Sequence, residues 1–144
     1  MKPVFAIDVG GVLASKQHDG VPVEGSLEAV EFLDKHFDLY VVSQCGRNRA
    51  LMTREWLREW KFPIPELKQI YIPFSETKIP ALHQIRARYF IDDRWKHVKP
   101  ALRLPAIRMV FHLDPEGLSH ADNFQKYVLV KSWEAVQGYM LGEI

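Results

Sequence analysis

Val4-Phe5-Ala6-Ile7-Asp8-Val9-Gly10-Gly11-Val12-Leu13 packs an apolar run, a carboxylate and a glycine pair into one short stretch. The run Val4 to Ile7 is continuous rather than alternating, which suits a strand buried on both faces. Gly10 and Gly11 then mark a turn. Asp8 therefore ends the first strand, at its carboxyl edge. In an open α/β sheet ligands bind outside that edge, so a rigidly mounted acid there is the first candidate for chemistry.

Outward from this stretch, apolar runs alternate with helical patterns to the end of the chain. Ala14 to Gly25 read as a loop, with Ser, Gln, His, Asp, two glycines and Pro22. Ser26 is the expected N-cap of a helix whose apolar positions are Leu27, Val30, Leu33 and Phe37. Leu39-Tyr40-Val41-Val42 forms a second strand, ending at Ser43-Gln44-Cys45-Gly46. From Arg47 to Trp60 a helix carries an imperfect stripe of Ala50, Leu51, Leu57 and Trp60, closed by Pro63 and Pro65.

Ile70-Tyr71-Ile72 supplies a third strand, and Lys78-Ile79-Pro80 opens a helix through Leu82 and Ile85. Tyr89-Phe90-Ile91 makes a fourth strand ending on Asp92-Asp93, and Ile107 to Phe111 a fifth. Val128-Leu129-Val130 adds a sixth, followed by a helix from Ser132 with Trp133, Val136 and Met140 on one face. Strands separated by helices imply βαβ crossovers and a parallel sheet, since hairpins need far shorter connections. The expected fold is a three-layer α/β/α sandwich around a mainly parallel, Rossmann-like sheet.

The chain has 144 residues, 47% of them apolar, the size of one ordinary domain; a single domain over 1–144 is expected. Nineteen basic and eighteen acidic side chains leave a net charge of +1, so no whole-molecule field draws nucleic acid or anionic membrane. A lone cysteine, Cys45, cannot close an internal disulfide, and no apolar run reaches membrane-spanning length. A soluble cytoplasmic setting is the expectation. The six histidines show no close-paired zinc spacing.

Asp8, Ser43, Lys78 and Asp92-Asp93 all fall at strand ends or a helix start on one edge of the sheet. Carboxylates gathered there make a hard oxygen site suited to Mg2+, and a hydroxyl with an ammonium supplies the donors a phosphate needs. The set holds the parts for phosphoryl transfer. Taken singly each has a plain structural role: Asp8 as a turn cap, Ser43 as a helix or turn cap, Lys78 as a solvated cation. Two adjacent acids after a buried strand are harder to explain without a cation, although Arg94 can neutralise one.

In this order the motifs resemble those of the haloacid dehalogenase (HAD) superfamily. Its phosphatases carry an apolar strand ending Asp-x-Asp-Gly-x-Leu, then Ser or Thr after a strand, then Lys, then an acidic pair. The matching segments are Phe5 to Leu13, Val41-Val42-Ser43, Lys78 and Phe90-Ile91-Asp92-Asp93. The resemblance implies a magnesium-dependent phosphohydrolase. In it Asp8 is nucleophile and metal ligand, with the Gly10 carbonyl, Asp92 and Asp93 completing the metal site. Ser43, Gln44 and Lys78 hold the phosphate. The short segments from Ala14 to Gly25 and Arg47 to Glu76 leave no room for a full cap domain, so the chain looks like members that act on exposed phosphates of larger molecules or borrow a lid from another subunit. The expected partner is a phosphorylated substrate, small or macromolecular.

Gly10 stands where the superfamily has its second aspartate, which protonates the leaving alcohol and later activates water. Losing a general acid and base costs about 10²–10⁴ in rate, most for leaving groups that need their proton. Three readings follow: a specialised phosphatase, an enzyme whose acid comes from elsewhere (His18, Asp19 and Glu24 lie in the following loop), or a non-catalytic phosphate- or protein-binding scaffold. Arg47, Arg49, Arg54, Arg58 and Lys61 gather positive charge after Ser43, read first as a solvated helix face. A phosphate or nucleic-acid contact is their alternative role. A receiver domain would carry its acidic pair after the first strand, and a dinucleotide fold would need another glycine spacing.

Overall fold

The computed structural model describes residues 1–16, 20–117 and 125–144. Six strands form one parallel sheet in the order β3-β2-β1-β4-β5-β6: β1 Val4–Ile7, β2 Asp38–Gln44, β3 Gln69–Ile72, β4 Ala87–Asp92, β5 Met109–Leu113 and β6 Tyr127–Val130. Between them run α1 Ser26–Asp34, α2 Arg47–Glu59, α3 Ile79–Gln84 and α4 Trp95–Ala101, and α5 Trp133–Leu141 follows β6. The first three strands step outward one way from β1 and the last three the other way. The switch therefore falls between β1 and β4, and it opens a crevice at their carboxyl ends.

Alternation along the central strands builds two cores. Phe5, Ile7, Val41, Tyr89, Ile91 and Phe111 point to one face, where they meet α1, α5 and Leu57 of α2. Ala6, Val42, Phe90 and Val110 point to the other, against Leu82 of α3 and Val98 and Ala101 of α4. Phe5 is fully buried, with ring centroids 6.0 Å from Phe111 and 5.7 Å from Tyr89 in stacked geometry. Truncating such a side chain to alanine typically costs about 3–5 kcal/mol. This two-sided burial is what fixes the strand ends that carry the acids.

Several elements differ from the sequence expectation. Gly25, at φ +77°, is the N-cap of α1, and Ser26 is instead its first residue, buried beneath the loop. The stripe of α2 runs through Ala50, Thr53 and Leu57, which recur at i, i+3 and i+7 on one face; Leu51 falls off that face and Trp60 is the C-cap beyond the helix, and both are exposed. The fifth strand starts at Met109 rather than Ile107, whose amide donates to Leu104 in the turn after α4. Helix α4 itself was absent from the sequence pattern, since Trp95-Lys96-His97-Val98-Lys99-Pro100 is largely polar and includes a proline. Among the described residues no helix is long and apolar enough to cross a membrane.

Candidate active site

Asp8 follows the last residue of β1, and its amide donates to the Ile91 carbonyl of β4 at 3.1 Å, which locks it over the switch point. Asp92 closes β4 and Asp93 follows it. One oxygen from each of Asp8, Asp92 and Asp93 lies within 4.8 Å of the others. Residues at opposite ends of the first 93 positions thus converge on a single point, as the sequence order suggested.

Lys78 supplies the opposing charge from the start of α3. Its Nζ donates to Asp8 Oδ1 at 2.8 Å and to Asp92 Oδ2 at 2.7 Å, and the side chain is only 2% exposed. The other oxygen of Asp92 accepts the Arg94 amide at 3.0 Å. Burial pushes the Asp8 carboxyl up to about 7, helped by repulsion from Asp92 and opposed by Lys78. Burial likewise raises Asp92, while Lys78 and the Arg94 amide oppose the shift. For Lys78 burial acts downward, but the two carboxylates outweigh it and the ammonium is held above its usual value.

Asp93 is held differently. Lys16, from the loop after β1, donates to Oδ2 at 2.6 Å, while Oδ1 is buried with no hydrogen-bond partner among the described residues. A buried carboxylate oxygen without a partner is costly unless a cation completes it. Three clustered carboxylates, one with an orphaned oxygen, are the donor set of a hard divalent ion, so the residues present fit such an ion. Gly11 lets Asp93 in: it sits at φ +81°, and a β-carbon there would fall 2.3 Å from Asp93 Oδ2. At Gly10 an added β-carbon would meet nothing within 4 Å.

Above these groups opens a cleft of about 660 Å³ lined by Asp8, Gly10, Ser43, Gln44 and Lys78, among others. Ser43, near the end of β2, is buried; Gln44 uses its amide nitrogen on the Glu76 carbonyl at 2.7 Å, tying down the loop that leads to Lys78. Of the basic residues on α2, Arg49 lines the cleft, whereas Arg54 lies over the Tyr71 ring at 4.9 Å and Arg58 pairs with Glu66. Cys45 lines it too, its thiol pushed up by burial. Of the residues considered as a replacement acid, His18 and Asp19 lie outside the described residues, as does His120, and Glu24 is exposed away from the cleft lining.

Two participants were not anticipated. Lys16 was hidden in an irregular loop, and no periodicity could have exposed it. His97, on the unanticipated α4, lines the cleft and is 8% exposed. Burial, together with Lys78, Lys96 and Arg94, drives its imidazole down to about 4.

No family model matches the sequence. A protein of Bacillus cereus named "Putative nucleotidase" is 28% identical over 74 residues, 51% of this chain and 39% of its own length. Among solved structures, the magnesium-bound "putative HAD-hydrolase YfnB" of Bacillus subtilis aligns over 85% of this chain with a TM-score of 0.62 and 14% identity. This is a HAD-like fold. The chain spans 57% of YfnB and about two fifths of the Bacillus cereus relative, so the HAD-like unit seen here corresponds to part of each.

Proposed function

We propose that the chain is a magnesium-dependent phosphohydrolase acting through an aspartyl-phosphate at Asp8. The observation that carries this is Lys78 bridging Asp8 and Asp92, with Asp93 clustered beside them, where Asp8 and Lys78 line an open cleft. Its support is the HAD-like fold and the partly matching relative, which brings nucleoside monophosphates into the substrate panel. The neighbour's magnesium suits the same trio. Asp8, Asp92, Asp93 and the Gly10 carbonyl would hold magnesium, whose charge offsets the repulsion between carboxylate and phosphate.

Asp8 is mounted on a buried strand, so its free oxygen meets phosphorus with little orientational freedom to lose. Lys78 balances the charge that develops on the transferred phosphoryl oxygens, and Ser43 adds a hydroxyl donor. A water then cleaves the acyl phosphate and returns Asp8 as a carboxylate. Gln44 keeps the Lys78 loop in register with β2 and also borders the phosphate. With glycine at position 10, the leaving group departs without a proton from that position, so the enzyme is specialised for good leaving groups. A soluble, cytoplasmic protein acting on phosphorylated partners, with no membrane and with nucleic acid the less favoured partner, completes this reading.

Gly10 also favours a second reading, a phosphate- or protein-binding domain without turnover. Phosphate release from a varied phosphoester panel, with and without magnesium, separates the two. Magnesium with beryllium fluoride should raise the melting temperature under both readings. Release that depends on magnesium and disappears in Asp8→Asn supports catalysis; no release from any ester, with the fluoride shift retained, leaves only binding.

A further inference from the structure

Phosphate chemistry accounts for only one side of the cleft. The rest of its lining includes Met52 and Trp56, one turn apart on α2, and Phe74 in the loop before Lys78. Met52 and Phe74 are 60% and 71% exposed. Large apolar side chains gathered in water at the mouth of a polar site mark a binding surface rather than a core. Neither end of this surface is loose in the fold. Trp56 stacks on Phe62 with ring centroids 5.4 Å apart, and the loop carrying Phe74 is tied to β2 by the Gln44 to Glu76 hydrogen bond.

We infer that this wall receives an aromatic ring attached directly to the ester oxygen, making the substrate class aryl phosphomonoesters; the inference rests on the phosphohydrolase reading above. Two independent features converge on it. The wall offers flat and polarisable surface, Phe, Trp and Met thioether, which matches a ring better than a sugar or a charged tail. Gly10 supplies no proton, and an aryl oxide is a leaving group that departs without one.

The step balances with water as sole co-reactant. An Asp8 oxygen bonds to phosphorus while the phosphorus–aryl oxygen bond breaks, its electron pair leaving on the aryl oxide, which takes a proton from solvent. Water then attacks the acyl phosphate, releasing phosphate, the Asp8 carboxylate and a proton. A nucleoside 5′-phosphate also carries a ring, but its leaving oxygen is alkyl and needs the missing acid.

The test uses the whole chain with magnesium and four substrates: phenyl phosphate, glycerol 3-phosphate, adenosine 5′-monophosphate and acetyl phosphate, the last having a good leaving group and no ring. Phenyl phosphate should give a higher kcat/KM than either alkyl ester. Phe74→Ala should raise the ratio of KM for phenyl phosphate to KM for acetyl phosphate by roughly two- to twelvefold, the range expected for losing one aromatic contact. Met52→Ala should move the ratio the same way. Hydrolysis of acetyl phosphate with that ratio unchanged in both variants keeps the phosphohydrolase and overturns the aryl wall. A higher kcat/KM for either alkyl ester than for phenyl phosphate overturns it as well, and release from none of the four overturns the aryl wall together with the phosphohydrolase reading on which it rests.

Discussion

The ammonium of Lys78 lies 2.7 Å from a carboxylate oxygen of Asp92, and neither side chain has more than a trace of contact with solvent. Together with the 2.8 Å bond to Asp8, this makes one buried cation the counter-charge of two buried acids. Removing one member of a buried ionic set typically costs about 3–5 kcal/mol, because the remainder is left uncompensated. Lys78→Met should therefore lower metal-free stability in urea denaturation at pH 7.5 by about that amount. Magnesium should recover part of the loss, since it restores positive charge to the same carboxylates. A variant as stable as the parent would remove Lys78 from the electrostatic centre.

Magnesium stabilisation should depend on pH through Asp8. Its folded carboxyl titrates near 7 against a reference of 3.8, chiefly because it is buried. A raised carboxyl means that the folded protein holds this proton more tightly than the unfolded chain. The group's stabilising contribution is complete below about pH 3.8 and is lost as pH rises through 7. Magnesium must displace that proton, so its effect on melting temperature should be small at pH 5 and level off above pH 7. In Asp8→Asn the increment should be smaller, and its rise with pH should shrink to what Asp92, also raised by burial, contributes. An increment in the parent that is already full at pH 5 would contradict the assignment.

What could be read from the sequence followed from what needs only local information. Continuous runs such as Val4 to Ile7 and Tyr89 to Ile91 declare buried strands, and the polar residue ending each falls at the carboxyl edge whatever the rest does. The ordering of Asp8, Ser43, Lys78 and the acidic pair was therefore legible before any contact was known. Lys16 and His97 were not. The first reaches Asp93 across 77 positions from an irregular loop, and the second sits on a helix held by Val98 and Ala101 rather than by a regular stripe. Thr53 replaced Leu51 on the buried face of α2, and its hydroxyl donates to the Arg49 carbonyl at 2.8 Å, so a polar residue could turn inward there.

His97 gives a second pH effect of opposite sign. Its imidazole, held near 4 by burial and by Lys78, Lys96 and Arg94, stays neutral in the folded chain where the unfolded chain takes up a proton near 6.5. Its contribution is present above 6.5 and is lost as pH falls through 4. His97→Asn should therefore gain on the parent by on the order of 1–2 kcal/mol between pH 6.5 and 4. Parallel stability curves for the two proteins over that interval would show that the imidazole protonates freely in the fold.

The open space at Gly10 makes the missing acid a testable idea rather than a steric necessity. A β-carbon there has no neighbour within 4 Å, in contrast to Gly11, where it would strike Asp93. Gly10→Asp should thus fold, and it adds a second carboxyl to a cleft that Asp8 already lines. If proton supply is what restricts the leaving group, the variant should raise single-turnover hydrolysis of glycerol 3-phosphate by up to about 10²–10⁴, with little gain on phenyl phosphate. The added charge also strengthens the repulsion felt by Asp8, so the gain should appear at saturating magnesium and shrink when magnesium is limiting. A variant that folds and binds magnesium yet keeps the parent's ratio of aryl to alkyl rates would mean that leaving-group protonation is not what glycine at position 10 withholds.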